Sequence, residues 1–428
     1  MTDSSLKHTQ GKFSIGYRYR KERFFRFYGL LASVVGLVFL IIFFSNLIGK
    51  GKDAFFQTQI RLNINFSQEI IDPDNTGDKE TFLKANYSKI AKDSLLEKFP
   101  SVSGRKDTRL LKKLLGQGGI YELSDLVQEN PQYVGTRQEI WMTASDDVDM
   151  YFKGKVSADV ANDMRRLKDK QIGWIEELRN SGQIKKSFNI VFFTKADSRE
   201  PEMAGILGAV MGTALTLLIT LLLSFPVGVM AAIYLEELSV KSRFTEFIEI
   251  NINNLAAVPS IVFGLLGLAV FLNVFNMPRS APVVGGCVLA LMTLPTVIIA
   301  TRSSLRAVPP SIREAARGLG ASNLQVVLHH VLPLAMPGVF TGTIIGMSRA
   351  LGESAPLLMI GMVAFIVDIP GSFTDPATAL PVQIYLWADS PEKAFVEKTA
   401  AGTLVLLLFL ILMNSLAVIL RKKYEKKW

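Results

Sequence analysis

Cysteine is nearly absent from this chain: among 428 residues only Cys287 is one, and it lies inside an apolar run. A lone cysteine makes no disulfide within the chain, so a disulfide-stapled scaffold is excluded. Histidine is almost as scarce, with His8 and the neighbours His329 and His330. Adjacent residues on a helix point apart, which is a poor start for a metal centre. No Gly-x-x-x-x-Gly-Lys-Ser/Thr phosphate loop occurs, so the chain cannot by itself bind and hydrolyse ATP in that fashion. No Ser/His/Asp or Cys/His set is placed for nucleophilic attack. Asp146-Asp147-Val148-Asp149 lacks the Gly and the distal Glu of a calcium loop and reads as a solvated turn. The expectation is a chain without catalytic residues, metal or cofactor.

Charge is also missing, but only from one half. Residues 1–26 and 49–203 are rich in ionisable side chains, whereas most of 204–420 is apolar. With 49% hydrophobic residues and 27 Phe, the composition is that of a membrane protein. The net charge of +9 would suit nucleic acid, yet much of the excess flanks apolar runs, where orientation in a bilayer explains it better. Membrane lipid is therefore the expected partner of these flanks, and nucleic acid is not.

Residues 1–26 form a basic tail, followed by Phe27–Ile48 without one charge. A run of about 20 apolar residues is long enough to span a bilayer. No small-residue cleavage site follows it, so it reads as an anchor and not as a signal peptide. The basic flank places the N-terminus in the cytoplasm and residues 49–203 outside it. Within that insertion Ile60, Leu62, Ile64 and Phe66 alternate with polar residues, as do Phe188, Ile190 and Phe192; both stretches read as strands. Helical patterns cover 78–99, 105–116 and 158–181, giving an α+β domain. Further spans are expected at 205–234, 256–275, 282–301, 338–367 and 400–420, with a basic tail at 421–428. A re-entrant segment around 338–367 is an alternative. Lys241, Arg243, Arg302, Arg306, Arg313 and Arg317 sit in the loops this topology puts inside, and six spans leave both termini cytoplasmic. Pro226, Pro259, Pro295 and Pro356 interrupt the apolar runs. Such breaks are tolerated where freed backbone groups face protein or a water-filled path, which favours a transporter or channel over an anchor.

Between two of these spans lies a loop reading Val308-Pro309-Pro310-Ser311-Ile312-Arg313-Glu314-Ala315-Ala316-Arg317-Gly318-Leu319-Gly320 and running on to Leu332-Pro333. Ser311 and Glu314 have capping-box spacing. Ala315 and Ala316 keep one side of the short helix slim, and Gly318 and Gly320 end it. The pattern describes a helix–turn–helix elbow shaped to sit in a partner's groove, or, more plainly, an amphipathic connector.

The loop resembles the Glu-Ala-Ala signature of ABC importer permeases, with Glu314, Ala315, Ala316, Gly320, Leu332 and Pro333 at matching positions and His330 where that family has Ile. Two further stretches, Asn254–Leu265 and Arg349-Ala350-Leu351-Gly352-Glu353-Ser354-Ala355-Pro356-Leu357-Leu358, are similar to segments of phosphate-transporter permeases, the second to the PstA type. The resemblance covers about 204–420 and does not reach 49–203. It implies an all-α polytopic membrane protein of six transmembrane helices with the type I, MetI-like permease fold, carrying an inserted extracytoplasmic α+β domain. It also implies an inner-membrane importer for inorganic phosphate and an elbow at 302–333 that docks on an ATPase. The partners would be a second homologous permease, a cytoplasmic ABC ATPase dimer and a periplasmic phosphate-binding protein. Sulfate or molybdate would be the alternative cargo. A membrane-anchored sensor or scaffold is the alternative class, but it has no need of such an elbow.

Arg349 and Glu353 form the one charged pair inside an expected span. A charge at the bilayer centre costs about 2.5–3.5 kcal/mol even on lenient scales, so the pair is either a mutual neutralisation or part of a substrate path. Arg349 has the planar fork that suits phosphate oxygens. Ser260 and Arg302 complete the expected path set. In the resembling family an Arg and a Glu follow the Leu-Pro of the preceding span, whereas here Ile299 and Arg302 stand in those places. Arg302 either substitutes for that pair or marks the cytoplasmic boundary.

Overall fold

The computed structural model describes residues 15–155, 166–240, 242–363 and 365–424, in a unit that ends at Lys50 and a second that begins at Gly51. The expectations for Lys7, Lys12, His8, residues 158–165, Lys241, Lys426 and Lys427 lie outside the described residues. In the first unit an uncharged stretch leaves the backbone no partners but its own carbonyls, so it coils. The helix α1 (Ile15–Gly51) starts well before residue 27, so the basic stretch from Ile15 is helical too, with Glu22 and Arg26 paired at 2.5 Å. No residue from Ile15 to Lys50 is buried, as a helix surrounded by lipid would have it.

The second unit opens with the inserted domain. Its central strand β1 (Phe56–Asn65) turns Ile60, Leu62 and Ile64 to one face, all buried, as their alternation predicts. Against that face lie α2 (Tyr87–Lys98), α3 (Arg105–Lys112) and α4 (Gln117–Glu129), which contribute Ile90, Leu95, Leu111, Leu123 and Val127 to the core. The strand β2 (Arg137–Thr143) pairs antiparallel with β1, setting Met142 opposite Ile60. Then come α5 (Asp146–Phe152), α6 (Asp169–Asn180) and β3 (Ile184–Phe188), which completes the sheet order β2-β1-β3.

Three local expectations are corrected. The strand expected to include Ile190 and Phe192 stops at Phe188, because the Asn189 side chain accepts the Phe192 N–H at 3.0 Å and starts a helical turn, Ile190–Thr194. The acidic run at Asp146–Asp149 is the first turn of α5 rather than a solvated turn. Three carboxylates there suit the positive end of a helix. Finally, β2 and α4 formed where no element was expected: Ile140 and Met142 are only two apolar positions, too short a pattern to stand out.

The apolar half begins with α7 (Leu207–Ile233), extended by a wide turn to Leu238, and α8 (Arg243–Ala256). It continues with α9 (Ser260–Leu266) and a wide turn to Leu272, α10 (Pro282–Arg306) and α11 (Pro310–Gly318). Last come α12 (Leu332–Gly352), α13 (Ala355–Met359), α14 (Leu380–Asp389) and α15 (Ala394–Tyr424). Among the described residues five helices, counting α1, are long and apolar enough to cross a membrane. A sixth crossing is available only if α8 and the Ser260–Leu272 helix, bent by 104° between them, count as one.

The straight span expected at 256–275 is therefore not formed. Pro259 biases Val258 out of the helical region, and the helix beyond it is roughly 20 Å long against a hydrocarbon core of about 30 Å. The span expected at 338–367 is also shifted. The helix begins at Asn323, absorbs Pro333 through the wide turn Val326–Val331, and ends at Gly352, where Glu353 is extended. Small residues let the bundle close up: a Cβ on Gly342 would collide with Ala300, and one on Gly228 would come within 2.7 Å of Val297. Phe192, Ile206, Leu380, Trp387 and Phe395 form one cluster, so the inserted domain and the bundle share a core.

Candidate functional site

Two adjacent prolines begin the elbow. Pro310 occupies the first helical position of α11, which needs no N–H, and Pro309 stands at the cap. Ser311 is thereby inside the helix, so the Ser311–Glu314 capping box expected from the spacing is not made. The capping box lies further on instead: Ser322 accepts the Gln325 N–H at 3.4 Å, and the Gln325 side chain accepts the Ser322 N–H at 2.9 Å. Between these helices the chain reverses at Gly320, whose φ is +86°. Its N–H donates to Arg317 O at 2.9 Å and the Ala321 N–H to Ala316 O at 3.1 Å, the two bonds of a Schellman turn.

The elbow has a packed side and an open side. Ala316 is buried with Leu305, Val308, Val326 and Val331, and Leu332 packs on that cluster. Leu332 and Pro333 are half-buried. Glu314, Ala315 and Gly320 are exposed, and beside them Leu319 is 90% exposed. Of the six residues expected to serve coupling, three are thus exposed and three pack within the elbow.

An ionic clamp fixes the elbow to the end of α7, and sequence reasoning missed its acidic half. Arg313 forks onto Glu237 at 2.5 and 3.1 Å and also donates to the carbonyls of Leu305 and Val308 at 2.8 and 2.7 Å. Its hydrogen bonds to Glu237 push the guanidinium further up from its ordinary value. One residue earlier, Glu236 takes Arg302 at 3.2 Å and Arg306 at 2.7 Å, and Arg302 reaches Glu249 on α8 at 2.6 Å. The signal available was Glu236-Glu237 at the end of an apolar run, facing Arg302 and Arg306 one turn apart on another.

The expected path residues divide. Ser260 begins α9, which packs on α13 so closely that a Cβ on Gly264 would stand 2.7 Å from the Pro356 Cα. α13 follows directly on Arg349 and Glu353. Those two lie 3.7 Å apart, not in the middle of a span but where α12 ends, and the Arg349 side chain is 51% exposed. Arg302 does not join them; both its carboxylate partners belong to the clamp.

Residues 224–426 match the sequence profile of the binding-protein-dependent transport system inner membrane component. Residues 12–162 match a domain of unknown function, DUF3333. The chain is 30% identical over 228 residues to the phosphate transport system permease protein PstA of Haemophilus influenzae, covering 53% of this chain and 79% of that one. It is 34% identical over 220 residues to the protein of the same name from Yersinia pestis, covering 51% and 73%. Among solved structures, a chain of the MetNI methionine ABC transporter in an inward-facing conformation is 19% identical with a TM-score of 0.41, covering 51% of this chain and 95% of that one.

Proposed function

We propose, from the premise that this chain belongs to the PstA-type family of binding-protein-dependent permeases, that it is a permease subunit of an ATP-driven importer of inorganic phosphate. The observation that carries this is the run of relatives named for phosphate transport, each aligned over most of its own length. The elbow supports it. A turn closed by Gly320, clamped to α7 and presenting Glu314, Ala315 and Leu319 outward, offers a rigid knob to a partner. That partner is an ABC ATPase dimer in the cytoplasm, and a homologous permease completes the path.

The basic loops put this elbow and both termini inside and the inserted domain outside, in the inner membrane, where a periplasmic phosphate-binding protein delivers the anion. In this reading residues 27–48 anchor the chain, 49–203 form the outer domain and 204–420 the permease proper. Ser260, Arg349 and Glu353 line the path, with Arg302 serving the clamp. The test is uptake of labelled phosphate into cells that lack this chain, with and without it restored. Restored uptake that excess phosphate suppresses and excess sulfate or molybdate does not is the expected result. Suppression by sulfate or molybdate assigns another oxyanion, and no restored uptake of any of them removes the transport reading.

A further inference from the structure

The first turns of α4 carry glycine at positions 116, 118 and 119, and the reason is not a strained backbone, since Gly116 has φ −77°. At Gly116 and Gly118 it is room for one side chain, that of Glu202. A Cβ on Gly116 would collide with the Glu202 carboxyl, and one on Gly118 would stand 3.1 Å from the Glu202 Cγ. A Cβ on Gly119 would press on Thr143 O at 2.7 Å. Glu202 thus seats in a slot of the inserted domain, from the short segment that leads into α7. That segment is pinned just beyond, where the N–H groups of Gly205 and Ile206 donate to Ala196 O and Phe192 O at 2.7 and 2.8 Å.

Two cavities meet at Glu202. One is lined also by Gln57, Asp146, Asp149, Lys153, Glu397 and Lys398, the other by Glu122, Asp125, Lys195 and Asp197. Most of these groups are engaged. Lys153 bridges Asp149 and Glu397 at 2.6 and 3.2 Å, and the Lys398 ammonium donates to Ala204 O. Glu122 accepts the Thr143 N–H and hydroxyl at 3.0 and 2.5 Å. Asp197 accepts the Trp387 indole at 2.9 Å, Asp125 and Lys195 lie 3.9 Å apart, and Asp146 has Arg166 at 3.6 Å. Among the described residues the buried Glu202 Oε2 has no hydrogen-bond partner.

We infer that Glu202 is a proton-operated latch: protonated, it holds the segment entering α7 against α4 of the inserted domain, and ionised, it is driven from the slot. Burial, with Asp146 and Glu200 as like-charged neighbours, pushes its carboxyl up to about 7, against backbone N–H groups that pull it down. Because the value is raised in the seated state, the latch's contribution is fully present below the ordinary value of 4.5 and is lost as pH rises through about 7. Asp146, pushed up to about 6 by burial and Asp147, adds in the same direction at lower pH.

This inference does not rest on what the chain transports. The test is hydrogen exchange, read by mass spectrometry on the full chain in lipid nanodiscs, corrected for intrinsic rates, for peptides covering residues 116–123 and 198–206. Between about pH 5.5 and about pH 8.5 the opening of both peptides should rise at least ~10-fold in step. Glu202→Gln should hold them closed across the range, and Asp146→Asn, which removes a like charge beside Glu202, should move the midpoint to lower pH. A flat profile in the unaltered chain, or an unchanged profile in Glu202→Gln, overturns the latch.

Discussion

At the scale of single residues, Arg349 separates two chemistries. It ends a helix beside Glu353 with half its side chain exposed, so within this chain the pair does not neutralise a buried charge, and a pair this open contributes little to stability. In the proposed reading this half-exposed fork, next to the α9–α13 contact, meets the anion where a second permease closes the path. Arg349→Lys should therefore impair phosphate uptake, since an ammonium cannot reproduce two parallel hydrogen bonds, and Arg349→Gln should abolish it at unchanged membrane abundance. Uptake recovered in Arg349→Gln combined with Glu353→Gln would show the pair to be structural. Arg302, expected either in the path set or at the cytoplasmic boundary, is the instructive case. A guanidinium's place on a helix is visible in the sequence, but its carboxylate partners lie 66 and 53 residues away and carry no local signal.

Among the elements, the elbow divides into what local chemistry dictates and what distant contacts dictate. The reversal at Gly320 was legible, because a backbone with φ of +86° is open to glycine and strained for a β-branched side chain. Gly320→Val should cost about 1–2 kcal/mol in the turn and reduce co-purification of the ATPase without removing the protein from the membrane. The clamp was not legible. Glu237 is buried against Arg313, so Glu237→Gln leaves a guanidinium short of its partner and should destabilise the elbow by about 3 kcal/mol. Limited proteolysis in the 308–325 region reads this directly: faster cleavage in Glu237→Gln, with part of the loss recovered in Glu237→Gln combined with Arg313→Gln, is the expected pattern. Equal cleavage in all three would show that the clamp does not hold the elbow.

Over the whole molecule, the proposed orientation rests on counting cations in short loops, and the clamp fits a bundle end that meets water. Arg302, Arg306 and Arg313 gather at one end of the bundle with Glu236, Glu237 and Glu249, a network suited to water and not to lipid. A reporter joined after Asp197 should be active only outside the cytoplasm, and one joined after residue 428 only inside. Cytoplasmic activity at Asp197 would remove the topology and, with it, the exposure of the Glu202 latch to the pH of the medium.

The sequence by itself determined the class of this protein, the uncharged helical stretch at 27–48, the strand built on Ile60, Leu62 and Ile64, and the turn at Gly320. Each is encoded within a few neighbouring residues, by length, period or steric permission. Only the tertiary structure decided that the apolar run after Pro259 bends away from α8, that α12 starts near Asn323 and stops at Gly352, which glutamates hold Arg302 and Arg313, and that Gly116 and Gly118 make room for Glu202. Those features depend on groups brought together from tens of residues apart, where the gain comes from packing, desolvation and paired charge, and none of these has a period along the chain.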